Sequence, residues 1–121
     1  MVGKKRFPDR GDVILVDLKP VSGHEQGGKT RPALVLSPWE YNGRSGLCLV
    51  APFTNQEKSY PFEVRSEGAC KKTTGVVLAD ALRSIDWNAR KAVFIEKAAD
   101  SLVEEVLAKL SALLNTTPLH T

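Results

Sequence analysis

The segment Gly23-His24-Glu25-Gln26-Gly27-Gly28-Lys29-Thr30-Arg31-Pro32 gathers more reactive side chains than any other stretch of the chain. His24 and Glu25 carry groups that can move protons, while Lys29 and Arg31 can hold a phosphate. A solvated loop whose charges merely keep it wet has the same composition, and the spacing fits no general catalytic signature. Arg31 carries more information. It directly precedes the apolar run that begins at Ala33, so its guanidinium is expected at the entrance of a strand, where a rigid element holds it; a surface ion pair is the alternative. Pro52-Phe53-Thr54-Asn55-Gln56 puts the Thr54 hydroxyl at the end of a buried-looking strand, either capping a turn or touching a phosphate. Gly75-Val76-Val77-Leu78-Ala79-Asp80 runs apolar and then presents a carboxylate. Asp80 is a second acid/base group or the partner of a neighbouring arginine, and pairing is the expected role. Trp39, Tyr41, Phe53, Tyr60 and Trp87 include candidates for stacking on unpaired bases, although most are expected in the core. His120 is expected to be inert.

These groups need a scaffold. Asp12 to Leu18 is rich in β-branched and aliphatic residues and is bracketed by Gly11 and Lys19-Pro20, which predicts a first strand. Val21 to Thr30, with three glycines, predicts a mobile loop, and Ala33 to Ser37 a second strand. Pro38 to Gly43 predicts a short helical turn closed by Asn-Gly, followed by a strand over Gly46 to Phe53. Phe62 to Arg65, Gly75 to Ala79 and Ala92 to Glu96 supply further strands, the last after a turn near Trp87. Short strands at this density suggest a small barrel or a strongly bent sheet, not a parallel α/β layer. Ser101 and Glu104 fit a capping box, and Leu102, Val103, Val106, Leu107, Leu110, Leu113 and Leu114 recur at helical spacing. One C-terminal α-helix is therefore expected to lie across the barrel, with 115–121 as a flexible tail.

The whole chain, 1–121, reads as a single domain with its core over about 9–114, without internal repeats, low-complexity tracts or linkers. At 121 residues it can bury roughly two-thirds of the surface its unfolded form exposes. A content of 42% hydrophobic and 26% charged residues excludes disorder by composition. Seventeen Lys+Arg against fourteen Asp+Glu leave a net charge of +3, which permits a polyanionic partner without demanding one. The basic opening Met1 to Pro8 is followed by no apolar stretch resembling a signal-peptide core, and the longest apolar runs are too short to span a bilayer. A cytoplasmic protein without membrane contact is expected. Cys48 and Cys70 show no zinc-site spacing and are expected to be free thiols, with no metal or other cofactor.

Gly11-Asp12, Gly23-His24-Glu25-Gln26, Arg31 to Pro38, Tyr41-Asn42, Pro52-Phe53-Thr54, Tyr60 to Val64, Gly75 to Asp80 and Ser84 to Trp87 occur in an order that closely resembles the MazF/PemK family of toxin ribonucleases. The resemblance spans roughly residues 9 to 114 and gains its specificity from several separated motifs in sequence. It implies a mainly β fold, a small SH3-like barrel of the CcdB/PemK type with a C-terminal α-helix. It also implies a homodimer, a cognate acidic antitoxin of the MazE kind, and single-stranded RNA as substrate. By position, Arg31 and Thr54 match the family's catalytic arginine and threonine, and Glu25 and His24 its loop acid/base residues. RNA contacts are implied at Gln26, Lys29, Phe53, Asn55, Gln56, Lys58 and Asp80. Leu78 replaces the arginine of PemK-like members, Ala81 a common glutamine, and Glu25 and Arg31 stand one residue further apart than in many relatives. These departures put the chain nearer the MazF branch. A gyrase-binding toxin of the same barrel architecture, or a paralogue that binds RNA without cutting it, are the competing readings.

Overall fold

The computed structural model describes residues 7–19 and 30–115. The elements run β1 (Asp12–Asp17), β2 (Thr30–Val35), α1 (Trp39–Ser45), β3 (Leu47–Thr54), β4 (Glu63–Arg65), β5 (Val76–Leu78), β6 (Arg83–Asp86), β7 (Val93–Lys97) and α2 (Asp100–Leu114). Every strand pairing is antiparallel, in the order β4-β5-β3-β2-β1-β7, with β6 also paired to β3. Val50 pairs with Val35 on one side and Arg83 on the other, so β3 carries β2 along one edge. Its other edge takes β6 on the first half and β5 on the second.

Both faces of the central strands are buried, which is why their sequences read as near-continuous apolar runs. Val13, Leu34, Leu36, Ala51, Phe53, Val64 and Val77 join Leu102, Val103, Val106 and Leu110 of α2 in one core. Ile14, Val16, Ala33, Val35, Cys48, Val50, Ile85 and Trp87 form the other, on the opposite face. The helix thus lies on the sheet as its apolar stripe requires. Cys48 and Cys70 are free, Cys48 buried and Cys70 half-buried. Burial pushes the Cys48 thiol up to about 12, and burial with the nearby Glu96 charge lifts Cys70 to about 11. Among the described residues, no helix is long and apolar enough to cross a membrane.

Several local expectations are corrected. β2 begins at Thr30 and ends at Val35, so Thr30 belongs to a strand and Arg31 is its second residue, opposite Val16. α1 runs through Asn42-Gly43 to Ser45 and closes on Gly46, whose φ of 78° supplies the left-handed cap. Asn42, not a turn residue but buried, receives the Ser37 hydroxyl at 2.6 Å and donates to the carbonyls of Pro8 and Ser37. The strand β6 was not expected, and the stretch before Trp87 is a ladder rather than a connection. The capping box does not form: α2 starts at Asp100 behind Ala99, with no side-chain cap, and Ser101 already lies inside the first turn. Leu113 and Leu114, counted in the apolar stripe, are exposed.

Candidate active site

The β2–β3 ladder sets the geometry. It pairs Val35↔Val50, Leu34↔Ala51 and Ala33↔Pro52, and two residues beyond the last pair stand Arg31 on β2 and Thr54 on β3. Arg31 shares the face of Ala33 and Val35, and Thr54 that of Val50 and Pro52, so both belong to the same side of the sheet. Arg31 is exposed, and its guanidinium has no hydrogen-bond or ion-pair partner among the described residues. The Thr54 hydroxyl accepts the Gln56 N–H at 3.1 Å, the expected turn cap. Capping uses a lone pair and leaves the hydroxyl proton free to donate.

Beyond Thr54 the chain turns through 55–62 and returns in β4, enclosing a cavity of about 500 Å³. Thr54 and Leu78 form its strand side, Gln56, Lys58, Ser59, Tyr60 and Pro61 its loop side, with Glu63 and Asp80 completing the wall. The loop is pinned. Both Glu63 oxygens accept the Lys58 N–H, at 3.2 and 3.0 Å, and Oε1 also accepts the Tyr60 N–H at 3.2 Å. Tyr60 donates its hydroxyl to Asp80 Oδ2 at 2.7 Å and packs on Phe62 with ring centroids 5.8 Å apart. Accepting that proton, the Asp80 carboxylate holds the phenol above its usual range, and desolvation acts in the same direction.

The β3–β5 junction depends on Gly75. Its φ is +96°, and a Cβ there would stand 2.2 Å from the Thr54 carbonyl oxygen and 2.8 Å from Asn55 Oδ1. Thr74 donates its hydroxyl to that Asn55 oxygen at 3.0 Å, and Asn55 is not among the residues lining the cavity. Arg83, paired with Val50 and so on the same face of the sheet as Thr54, donates to the Leu18 carbonyl, and Arg90 donates to those of Asp17 and Lys19, at 2.7 and 2.6 Å. They brace the end of β1 beside Arg31.

Of the residues singled out in the sequence, the structure brings Thr54, Gln56, Lys58 and Asp80 to one cavity and puts Arg31 on β2, the strand that pairs with the one carrying Thr54. His24, Glu25, Gln26 and Lys29 lie outside the described residues. Phe53 is corrected: only 3% exposed, its ring packs in the core and is not offered to a ligand. Asp80 pairs with a tyrosine, not with an arginine; Arg83 points to Leu18 instead. Trp39, Tyr41 and Tyr60 are exposed, so most of the five aromatics are not core. Tyr60 was visible as a stacking candidate, Glu63 only as a member of the motif Tyr60 to Val64, and Leu78 as part of the apolar run before Asp80 and as a missing arginine. A more apolar groove of about 790 Å³, lined by Leu36, Tyr41, Leu82, Leu107, Leu110 and Leu114 among others, shares no residue with the cavity. Its polar lining residues are committed to the fold, Arg10 donating to the Leu36 carbonyl, Ser37 to Asn42 Oδ1 and Asn115 to Ser111 Oγ. Among the described residues, no three His, Cys, Asp or Glu side chains stand close enough to hold a metal ion.

Residues 9–114 match the family described as PemK-like, MazF-like toxin of type II toxin–antitoxin system. The endoribonuclease toxin MazF of Escherichia coli K12 is 46% identical over 107 residues, covering 88% of this chain and 94% of that one. The endoribonuclease toxin ChpB of the same strain is 44% identical over 117 residues, covering 94% and 99%. Among solved structures, the crystallised MazE–MazF (Form-II) of Deinococcus radiodurans superposes with a TM-score of 0.83 at 44% identity, covering 93% of this chain and all of that one.

Proposed function

The chain belongs to the PemK-like, MazF-like toxin family of type II toxin–antitoxin systems, and on that premise we propose how it cuts its substrate. It is an endoribonuclease toxin. The substrate is single-stranded RNA, cut without a metal ion by its own 2′-hydroxyl, which attacks the adjacent phosphate and expels the 5′-oxygen. Products are a 2′,3′-cyclic phosphate and a 5′-hydroxyl. The nucleophile is tethered to its electrophile, so the protein's tasks are alignment, charge neutralisation and proton transfer. Arg31 takes the second, its planar fork spanning two non-bridging oxygens of the phosphorane. Thr54, its lone pair occupied by Gln56, donates its proton to the same group. Glu25 and His24 are the groups available to take the proton from the 2′-oxygen and return one to the 5′-oxygen.

The observation that supports this reading most is the β2–β3 ladder, which puts two residues beyond its last pair a guanidinium with no partner among the described residues and a hydroxyl at the mouth of a preformed cavity. Neither competing reading, gyrase binding or RNA binding without cleavage, has an observation in its favour. The decisive experiment is a single 2′-deoxy substitution at the nucleotide 5′ to the cut, with and without EDTA. Cleavage stops in the deoxy strand and survives EDTA, while binding persists because phosphate and base contacts are retained. Undiminished cleavage of the deoxy strand makes water or a side chain the nucleophile, and loss in EDTA brings a metal into the mechanism.

The antitoxin is an acidic protein encoded beside the toxin, matching its net charge of +3. We place the protein in the cytoplasm, where messenger RNA is exposed, as a homodimer. Sedimentation that shows only monomer at micromolar concentration, or a neighbouring acidic protein that leaves cleavage untouched, overturns these assignments.

A further inference from the structure

Arg31 is aimed by the backbone that carries it, and that backbone lies at one end of a ladder. In the pairing of β1 with β2, Arg31 stands opposite Val16, and the last rung joins Asp17 to Thr30. Strand ends ordinarily fray. This one is held: Arg90 Nη1 donates to the Asp17 carbonyl at 2.7 Å and to the Lys19 carbonyl at 2.6 Å, and Arg83 donates to the Leu18 carbonyl between them. The Lys19 N–H closes on Asp17 Oδ1 at 2.9 Å. Three successive carbonyls are thus taken by two guanidiniums, and hydrogen bonds from a charged donor are the strong kind. Both arginines reach out from rigid ground. Arg83 opens β6 and pairs with Val50. Arg90 leaves a turn built on Asp86, whose Oδ1 accepts the N–H groups of Asn88 and Ala89 at 3.1 and 2.8 Å and whose carbonyl accepts that of Arg90 at 3.0 Å. Beside it the buried Trp87 donates its indole N–H to the Asn42 carbonyl at 2.9 Å.

We propose that Arg90, with Arg83 beside it, is a positioning residue for cleavage: it fixes the end of β1 and, through the rung between Asp17 and Thr30, the backbone from which Arg31 reaches the phosphate. The assignment rests on the ribonuclease reading for the task of Arg31. An exposed guanidinium with no partner among the described residues takes its aim from its backbone alone. A misplacement of about 1 Å at a reacting group can cost about 100-fold in rate, so a frayed rung beside Arg31 slows the reaction without touching the substrate. Arg90 acts through Arg31 and makes no contact with the reacting atoms. Its loss therefore lowers the rate of the bound complex and leaves the affinity for RNA nearly intact.

The test compares the full chain as wild type, Arg90→Met, Arg90→Lys, Arg31→Ala and the double variant Arg31→Ala/Arg90→Met on one RNA, with amide hydrogen exchange followed in each by mass spectrometry. Arg90→Met keeps the stem and loses both hydrogen bonds, so kcat falls by on the order of tenfold while KM stays within about twofold. Arg90→Lys, whose ammonium still has protons for two carbonyls, recovers most of the rate. Without Arg31 there is nothing left to aim, so Arg90→Met added to Arg31→Ala slows cleavage by less than about twofold. In Arg90→Met, exchange quickens over 14–19 and 30–33 and nowhere else. An equal loss of rate in both backgrounds, a rise in KM with kcat unchanged, or no recovery by Arg90→Lys overturns the proposal. Exchange unchanged over 14–19 and 30–33 does so too, and exchange raised throughout the chain marks a merely structural residue. RNA left uncut by wild type refutes the ribonuclease reading, whereas exchange quickened only beside Arg31 still sustains the clamp, so the two fail separately.

Discussion

Arg31 owes nothing to packing: it is exposed, its backbone is held by the ladder opposite Val16, and its guanidinium spends no hydrogen bond on the described fold. Arg31→Ala is therefore expected to leave the melting temperature unchanged while cutting the cleavage rate by about 100- to 1,000-fold, the usual loss for one transition-state donor. Cleavage of a long RNA, measured beside a thermal melt, checks both halves; near-normal cleavage by the folded variant removes Arg31 from the mechanism. At this scale residue type was legible and partnership was not. Thr54 at a strand end reads as a cap or a phosphate contact, and its hydroxyl has the capacity for both. Asp80 looked like half of an ion pair because arginine follows it in the chain. Its actual partner, Tyr60, lies across the cavity, and no local pattern encodes a contact made by a folded loop.

Elements were readable wherever burial was two-sided. β1, β2 and β3 announce themselves because each packs one face on α2 and the other on the Trp87 core. β6 did not, since Ile85 alone of its four residues is buried, and one apolar side chain makes no pattern. The start of α2 misled for a different reason: Ser101 and Glu104 have capping-box spacing, yet Asp100 precedes them and can itself favour the positive end of the helix. The junction of β3 with β5 decides where Thr54 sits. Gly75 adopts a backbone angle that L side chains rarely accept and passes within contact of the Thr54 carbonyl, so no side chain fits without moving the strand end. Gly75→Ala is expected to cost more than about 1 kcal/mol in urea denaturation. Cleavage should fall beyond what the unfolded fraction accounts for, because Thr54 moves with its backbone. A variant with wild-type stability and rate would mean that β5 can retreat without disturbing Thr54.

In the molecule as a whole, a sheet that runs from β4 to β7 has two ends, and no ladder among the described residues joins them. The joint is made by a side chain. Glu96 on β7 is 8% exposed and accepts the backbone N–H groups of Lys71, Lys72 and Thr73 and the Thr73 hydroxyl, all from the segment that follows β4. Ala99 N–H adds one bond to the Ala69 carbonyl. Burial alone would raise the Glu96 carboxyl, but the Thr73 hydroxyl and the three amides outweigh it and leave it below its ordinary value. A depressed carboxylate contributes stability that is present above its unfolded value, about 4.3, and is lost as pH falls through the folded one. Glu96→Gln keeps the shape but removes the charge and gives one of the accepting positions to a donor. Hydrogen bonds to a charged group are worth about 1.5–3 kcal/mol, so a loss of about 2 kcal/mol is expected at pH 7. The signature lies in its pH dependence. Denaturant curves of wild type and variant should differ most at neutral pH and converge as pH falls from the unfolded value, about 4.3, through the lowered folded one. A gap that stays constant from pH 7 to pH 3 would show that the shape of the side chain, and not its charge, closes the sheet.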